Sequence, residues 1–348
     1  MYYEKISEKL KSYFNILSPE FPEWLHDYIN TPEMLRIGGT SIDCGCDYTA
    51  LIPAHEWYSN LDHSVGVALI IWNFTKDKKQ TLAGLFHDIS TPVFKHCIDF
   101  MNGDSEKQES IEERTSITIK NSKEIMALLN RDGIKVEEVD DYKLYPIADN
   151  DLPNLSADRL EYNFCGALFT RPVCELKDIE KFYNNLIITK NENEMDELTF
   201  ANLEIAEEFI ETVSKVWPWW INDVDRTVMQ FIADMCKSLN RSGYLTINDL
   251  YELSEKDVIN KIKVCNSYLA GCFEKFEKAT TCYTSATKVE DKYCVNVKSK
   301  RRYLNPLVLV NTPKRIYDIS EKTKNVIDDY FKIPIEGFTY LDFDFKPF

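Results

Sequence analysis

Apolar residues recur at helical spacing over most of the chain. Ile6, Leu10, Phe14 and Leu17 lie three or four positions apart, which predicts a helix over 4–17, and a short one fits 22–30. Thr31-Pro32-Glu33 reads as an N-cap, a proline in the first turn and an acidic partner for the helix dipole. Gly38-Gly39 ends that helix, and a loop rich in Gly, Cys and Asp runs to about residue 50. Helical patterns follow over roughly 61–74, 80–89, 92–101, 109–130, 154–169, 176–187, 196–215 and 220–240. The pattern changes near 280. Tyr293–Val297, Leu307–Val310 and Phe338–Phe345 carry strand-like runs, with one helix over about 319–332 between them. The expected fold is mainly α: a helical bundle over 1–275, followed by a small α+β extension over 276–348. Trp217, Trp219 and Trp220 around Pro218 read as a packing knot at a helix start rather than as a ligand cage.

Composition narrows the function classes. The 348 residues are 44% hydrophobic, enough for a sizeable core and against disorder. Fifty-seven acidic against 41 basic residues give a formal charge of -16, a field that disfavours a nucleic-acid duplex as partner. Small phosphorylated substrates stay open, because a bound dication inverts the local potential. The ten cysteines form no CxxC pair, and Cys44-Gly-Cys46 lacks the second pair a zinc site needs. Met1–Lys5 begins an amphipathic pattern, and the longest apolar run, 65–74, is far short of a membrane span. A cytoplasmic protein with reduced thiols and no membrane association is the expectation.

Four of the five histidines (55, 63, 87 and 96) fall within 42 residues. Histidine is the commonest transition-metal ligand, so the cluster invites a geometric test. Helices 61–74 and 80–89 are joined by five residues, which makes them antiparallel neighbours. At ~1.5 Å rise per residue, His63 and His87-Asp88 come level at the far end of that hairpin. His26 and His55 read as ordinary core or surface histidines. Two imidazoles and one carboxylate leave a site short of ligands, and Asp149, Asp151 and Asp158 compete for the further acid on composition alone.

Three segments in order carry a resemblance. Asp62-His63-Ser64-Val65-Gly66, Leu85-Phe86-His87-Asp88-Ile89 and Ser156-Ala157-Asp158-Arg159-Leu160-Glu161-Tyr162 resemble the signatures of the HD phosphohydrolase superfamily, nearest to its deoxynucleoside-triphosphate triphosphohydrolase-like branch. The likeness spans about 31–165. It implies a helical HD domain and a metal-dependent phosphohydrolase in which His63, His87, Asp88 and Asp158 ligate the cation. Mixed imidazole and carboxylate ligation suits Mn, Fe, Co, Ni or Zn, with Mg a poorer match. The implied partner is a small phosphorylated substrate, in the first place a nucleotide. Relatives on this scaffold often assemble, so the resemblance adds a homo-oligomer that no coiled-coil or repeat signal in the chain compels.

The chain departs from the branch where triphosphate would be handled. Asn60 stands in place of an arginine, Ser90 and Thr91 in place of Gly and His, Ile111 in place of a histidine and Gly166 in place of an acid. Substitutes in the sequence are His96, Glu109 and Glu112 for proton transfer. Arg36, Lys95, Arg114 and Arg159 offer charge for phosphate, and Tyr162 offers a ring or hydroxyl for base or sugar. These departures also raise the alternative of a nucleotide-sensing module with weak or no catalysis. A cyclic-nucleotide or oligonucleotide phosphodiesterase would want more histidine ligands than the chain supplies.

Overall fold

A computed structural model describes residues 1–53, 55–108 and 114–348. Among them are eighteen α-helices and seven short strands, so the protein is mainly helical. The centre is the helix Asn60–Thr75, buried on every side from Asn60 to Ile71. Ser59 starts it: its hydroxyl accepts from Asp62 N at 3.1 Å while Asp62 Oδ2 accepts from Ser59 N at 2.9 Å, a closed capping box. Lys76 stops it in the left-handed conformation, and Asp77 at once caps the next helix, Lys78–Phe86, by accepting from Lys79 N and Gln80 N. The hairpin predicted from sequence is therefore present. Its two helices approach closely because Gly84 has no side chain: a Cβ there would lie 2.2 Å from Ile71 Cδ1.

Several predicted helices are shorter than expected, for identifiable reasons. The span 92–101 is helical only over Cys97–Met101, because Phe94 and Lys95 adopt positive φ (60° and 40°). Residues 114–132 form two helices, Thr115–Asn121 and Lys123–Asp132, broken at Ser122, which caps the second. The helix expected over 176–187 ends at Tyr183, and the one expected over 196–215 starts only at Leu203. The intervening β-branched run becomes strand β1 (Leu186–Lys190), paired antiparallel with β2 (Asp196–Phe200).

The remaining strands lie late in the chain: β3 (Tyr283–Ser285), β4 (Tyr293–Asn296), β5 (Leu307–Leu309), β6 (Pro313–Arg315) and β7 (Phe338–Leu341). They form two sheets, ordered β1-β2-β5-β6 and β3-β7-β4. Strand β5 runs parallel to β2, with Thr199 opposite Leu307. Leu304, Val308, Ile316 and Ile327 join the larger apolar core around the hairpin, while Tyr293, Leu341 and Phe345 join a second core around Phe94, Phe231 and Phe276. Residues 276–348 thus share a sheet and both cores with the helical body. Buried Glu197 on β2 is clamped by Arg315 on β6 at 2.5 and 2.9 Å and accepts from Leu155 N at 3.2 Å. That bond ties the sheet to the segment leading into the Asp158 helix. No helix among the described residues is long and apolar enough to cross a membrane.

Candidate metal centre and its cavity

His63 projects from the second turn of the central helix, and His87 caps the C-terminus of the helix Lys78–Phe86. Asp158 lies in the first turn of the helix Ala157–Cys165, which Ser156 caps by accepting from Arg159 N. These elements bring His63 Nε2 to 3.1 Å from both His87 Nε2 and Asp158 Oδ1, with His87 Nε2 3.7 Å from Asp158 and 3.6 Å from Asp88 Oδ2. Of the three competing acids, Asp158 meets the histidines. Asp149 instead pairs with Arg159 at 3.0 Å.

The outward ring nitrogens explain why the inner ones face each other. His63 Nδ1 contacts the carboxylate of Glu161, and His87 Nδ1 lies 2.7 Å from the Gly84 carbonyl. Neither oxygen can donate, so both Nδ1 atoms carry the proton. The two Nε2 atoms and a carboxylate oxygen then converge on one point, where either a shared proton or a bound cation relieves their mutual repulsion. Outward carboxylate and carbonyl partners of this kind fix the tautomer of metal-binding histidines. The donor set fits a divalent cation: ligand atoms of His63, His87 and Asp88 lie within 4.8 Å of one another, and Asp158 Oδ1, 3.1 Å from His63 Nε2, would join them in holding it.

The electrostatics agree. Burial would raise the Asp88 carboxyl, but Lys95, His87 and His63 outweigh it and hold it well below the usual range. Asp158 is lowered against burial by its hydrogen bond to His63 and by the charge of His87. Burial would lower His63, yet Glu161 and Asp158 carry it up to about 9, so the site attracts positive charge. Glu161 itself is fully buried and accepts from Tyr58 at 2.5 Å and Tyr13 at 3.1 Å.

The centre opens into a cavity of about 630 Å³. Lys95, His96, Arg159 and Tyr162 are among the residues that line it. Lys95 Nζ is 2.7 Å from Asp88 and donates to Asn60 Oδ1 at 3.1 Å, so a lysine now stands beside the position where the branch has arginine. Arg159 is committed to its own loop, donating to the Asn154 carbonyl and Asn150 while paired with Asp149. Tyr162 lies edge-on to Trp220 at 5.5 Å, and both face the cavity. Trp217 packs in the core with its Nε1 donating to Asn163 at 2.9 Å. Part of the tryptophan knot thus becomes cavity wall.

Two residues expected at the phosphate lie elsewhere. Arg36 donates to the carbonyls of Ile89 and Thr91 at 3.0 and 2.7 Å, which braces the turn behind Asp88. Arg114 sits over the Tyr251 ring at 4.0 Å, and both arginines border a second cavity. Neither is at the metal centre, because each guanidinium is held by backbone or ring on another face. Glu109 and Glu112 fall outside the described residues.

Sequence reasoning passed over several groups in and behind the cavity wall. Glu161, three residues after Asp158 on the same helix face, had its spacing as a signal. Arg302 and Lys300 reach in from the Lys-Ser-Lys-Arg-Arg run at 298–302, the visible basic cluster of an acidic chain. Asp225, half-buried, lines the same cavity, and desolvation pushes its carboxyl up to about 7. His55, read as an ordinary histidine, bridges Asp43 and Asp47 at 2.7 and 2.8 Å, and their pull outweighs burial to raise it to about 10.

No protein-family model matches the chain. A curated relative, the uncharacterized protein YdhJ of Bacillus subtilis (strain 168), is 24% identical over 256 residues, covering 72% of this chain and 74% of its own. Two solved structures share the fold. A hypothetical protein from Aquifex aeolicus superposes with a TM-score of 0.64 at 19% identity, covering 92% of this chain and 93% of its own. A phosphohydrolase from Bacteroides thetaiotaomicron VPI-5482 superposes with a TM-score of 0.62 at 11% identity, covering 92% and 96%.

Proposed function

We propose that the protein is a metal-dependent phosphohydrolase of the HD type, cleaving a phosphate ester or anhydride of a nucleotide-like small molecule. The observation that carries this is the convergence of His63 Nε2, His87 Nε2 and Asp158 Oδ1, each ring locked from behind. The fold shared with a phosphohydrolase supports it. When bound, a divalent ion supplies Lewis acidity toward a phosphoryl oxygen and lowers the pKa of water. Mn, Fe, Co, Ni and Zn are the candidates, with Mg less suited to this ligand set. The chain's own groups do the rest. Lys95 places an ammonium next to Asp88, where it meets charge developing on phosphate, and His96 offers a half-buried imidazole for proton transfer. Tyr162 and Trp220 form an aromatic wall, and a cavity of about 630 Å³ lies within the range of small-molecule sites.

The test is metal analysis of the purified chain, joined to a hydrolysis screen of nucleoside mono-, di- and triphosphates and p-nitrophenyl phosphate. Asp158→Asn should lose turnover by at least the ~10²–10⁴-fold typical of a positioned catalytic group. Full metal occupancy with no turnover on the whole panel would overturn the hydrolase reading. Asn60, Ser90, Thr91 and Gly166 favour a second reading, a nucleotide-sensing module. A nucleotide that raises the melting temperature yet is never hydrolysed would identify it.

A further inference from the structure

We infer that Arg302, delivered from the late segment of the chain, is a phosphate-binding cation of this cavity. The inference rests on the hydrolase reading only for the name of the anion's carrier. Other cations of the cavity already hold a carboxylate or carbonyl partner, Lys300 among them through the Lys107 carbonyl at 2.5 Å. Lys95 is paired with Asp88, Arg159 with Asp149, and Arg171 with Asp43 at 3.2 Å while lying over Trp219. Arg302 differs. Its guanidinium donates to Gln108 Oε1 at 2.6 Å and to His96 Nε2 at 3.3 Å, both neutral acceptors. Among the described residues no carboxylate lies within ion-pair distance of it. Asp225 in the same cavity feels its charge at longer range, but the guanidinium's direct hydrogen-bond partners are neutral, and phosphate oxygens are stronger acceptors than either.

The surroundings hold this side chain in wait. Arg301 grips the end of the helix Glu321–Lys332, donating to the carbonyls of Tyr330, Phe331 and Ile333 at 2.8, 3.1 and 2.5 Å. Arg302 N donates to the Tyr330 hydroxyl at 3.3 Å, and Ser299 N to the Ile335 carbonyl at 3.0 Å. With Arg301 anchored toward the helix, its neighbour Arg302 reaches the cavity. On the receiving side, His96 Nδ1 lies 2.9 Å from buried Asp99, which turns Nε2 toward Arg302. Gln108 is buried at a positive φ of 58°. A non-glycine residue held there costs backbone energy that the rest of the fold must offset, as is common where a side chain serves a ligand. A preorganised cation loses less freedom on binding. The recognised chemistry is a phosphate group, and the late segment thereby completes the site.

Isothermal titration calorimetry of the full chain with inorganic tripolyphosphate, in EDTA, tests this without metal or turnover. Arg302→Ala should weaken binding by about tenfold to a hundredfold, the range for losing a charge-assisted contact. Arg302→Lys should recover part of it, since an ammonium keeps the charge but not the bidentate fork. Manganese stoichiometry and helical circular dichroism should stay at the wild-type values in both. Tripolyphosphate binding by Arg302→Ala as tight as wild type, or none by wild type, overturns the proposal. Arg302-dependent binding in a chain that hydrolyses nothing would keep this inference and remove the hydrolase reading.

Discussion

Glu161→Gln separates the charge behind His63 from the space it fills. The wild-type carboxylate is fully buried and takes three hydrogen bonds, from His63 Nδ1, Tyr58 and Tyr13. An amide of the same shape keeps an oxygen for His63, while its NH₂ faces tyrosine hydroxyls that can accept. Each bond falls from the charged to the neutral class, a loss of roughly 1 kcal/mol apiece. The gross cost of about 3 kcal/mol is offset by no longer burying a charge, so the net change in stability should be near 1 kcal/mol. Metal binding should suffer more, because the neutral amide no longer makes His63 Nε2 a stronger base. Outer partners of this kind are worth about 10–100-fold in affinity, or roughly 1.4–2.8 kcal/mol. Manganese titration by calorimetry, with a melting curve of the metal-free variant, reads both quantities. Undiminished manganese affinity in a folded variant would refute the argument that Glu161 tunes the centre through His63.

Two further outcomes follow from packing and from protons. A Cβ on Gly66 would lie 2.8 Å from Glu161 Cγ and Oε1, so Gly66→Ala must push aside a side chain held by three bonds. Helix propensity favours the alanine by up to ~1 kcal/mol, yet overpacking costs about 1–3 kcal/mol, so both melting temperature and manganese affinity should fall. A more stable Gly66→Ala protein with intact metal binding would contradict the packing described here. Glu255, fully buried and accepting from Ser41 N at 2.9 Å, has its carboxyl raised by burial to about 8. The native state therefore holds a proton that the unfolded chain has released, and this contribution is full below the ordinary range near ~4.3 and lost as pH rises through about 8. Glu255→Gln should gain on the wild type in melting temperature as pH climbs across that window, and parallel curves would refute the assignment.

The meeting of His63 with His87 and Asp88 was legible because its parts are local. A helical period, a five-residue link and an adjacent His-Asp pair suffice to bring His63 to His87, while Asp158 needed the likeness of a signature to be told from Asp149 and Asp151. The strands β1 and β2 were hidden for a physical reason. Their apolar residues lie close enough in sequence to pass for helix faces, and only β5, more than a hundred residues away, stabilises them as a sheet. Arg36 and Arg114 show the converse limit. Composition names a cation, but whether it faces phosphate or a backbone carbonyl depends on packing several helices away. Arg302 lay outside every matched motif, and only its place in a basic run hinted at it.

The parallel pairing of β2 with β5 also orders events in time. At synthesis rates of about 5–20 residues per second, the stretch between Phe200 and Leu307 takes on the order of ten seconds to emerge. Over that interval β2 stands with one edge unpaired, an open template of the kind that seeds misassociation. The same wait leaves the centre of His63, His87 and Asp158 without Arg302. A nascent chain can thus hold its metal donors together before the cation proposed to receive the phosphate exists.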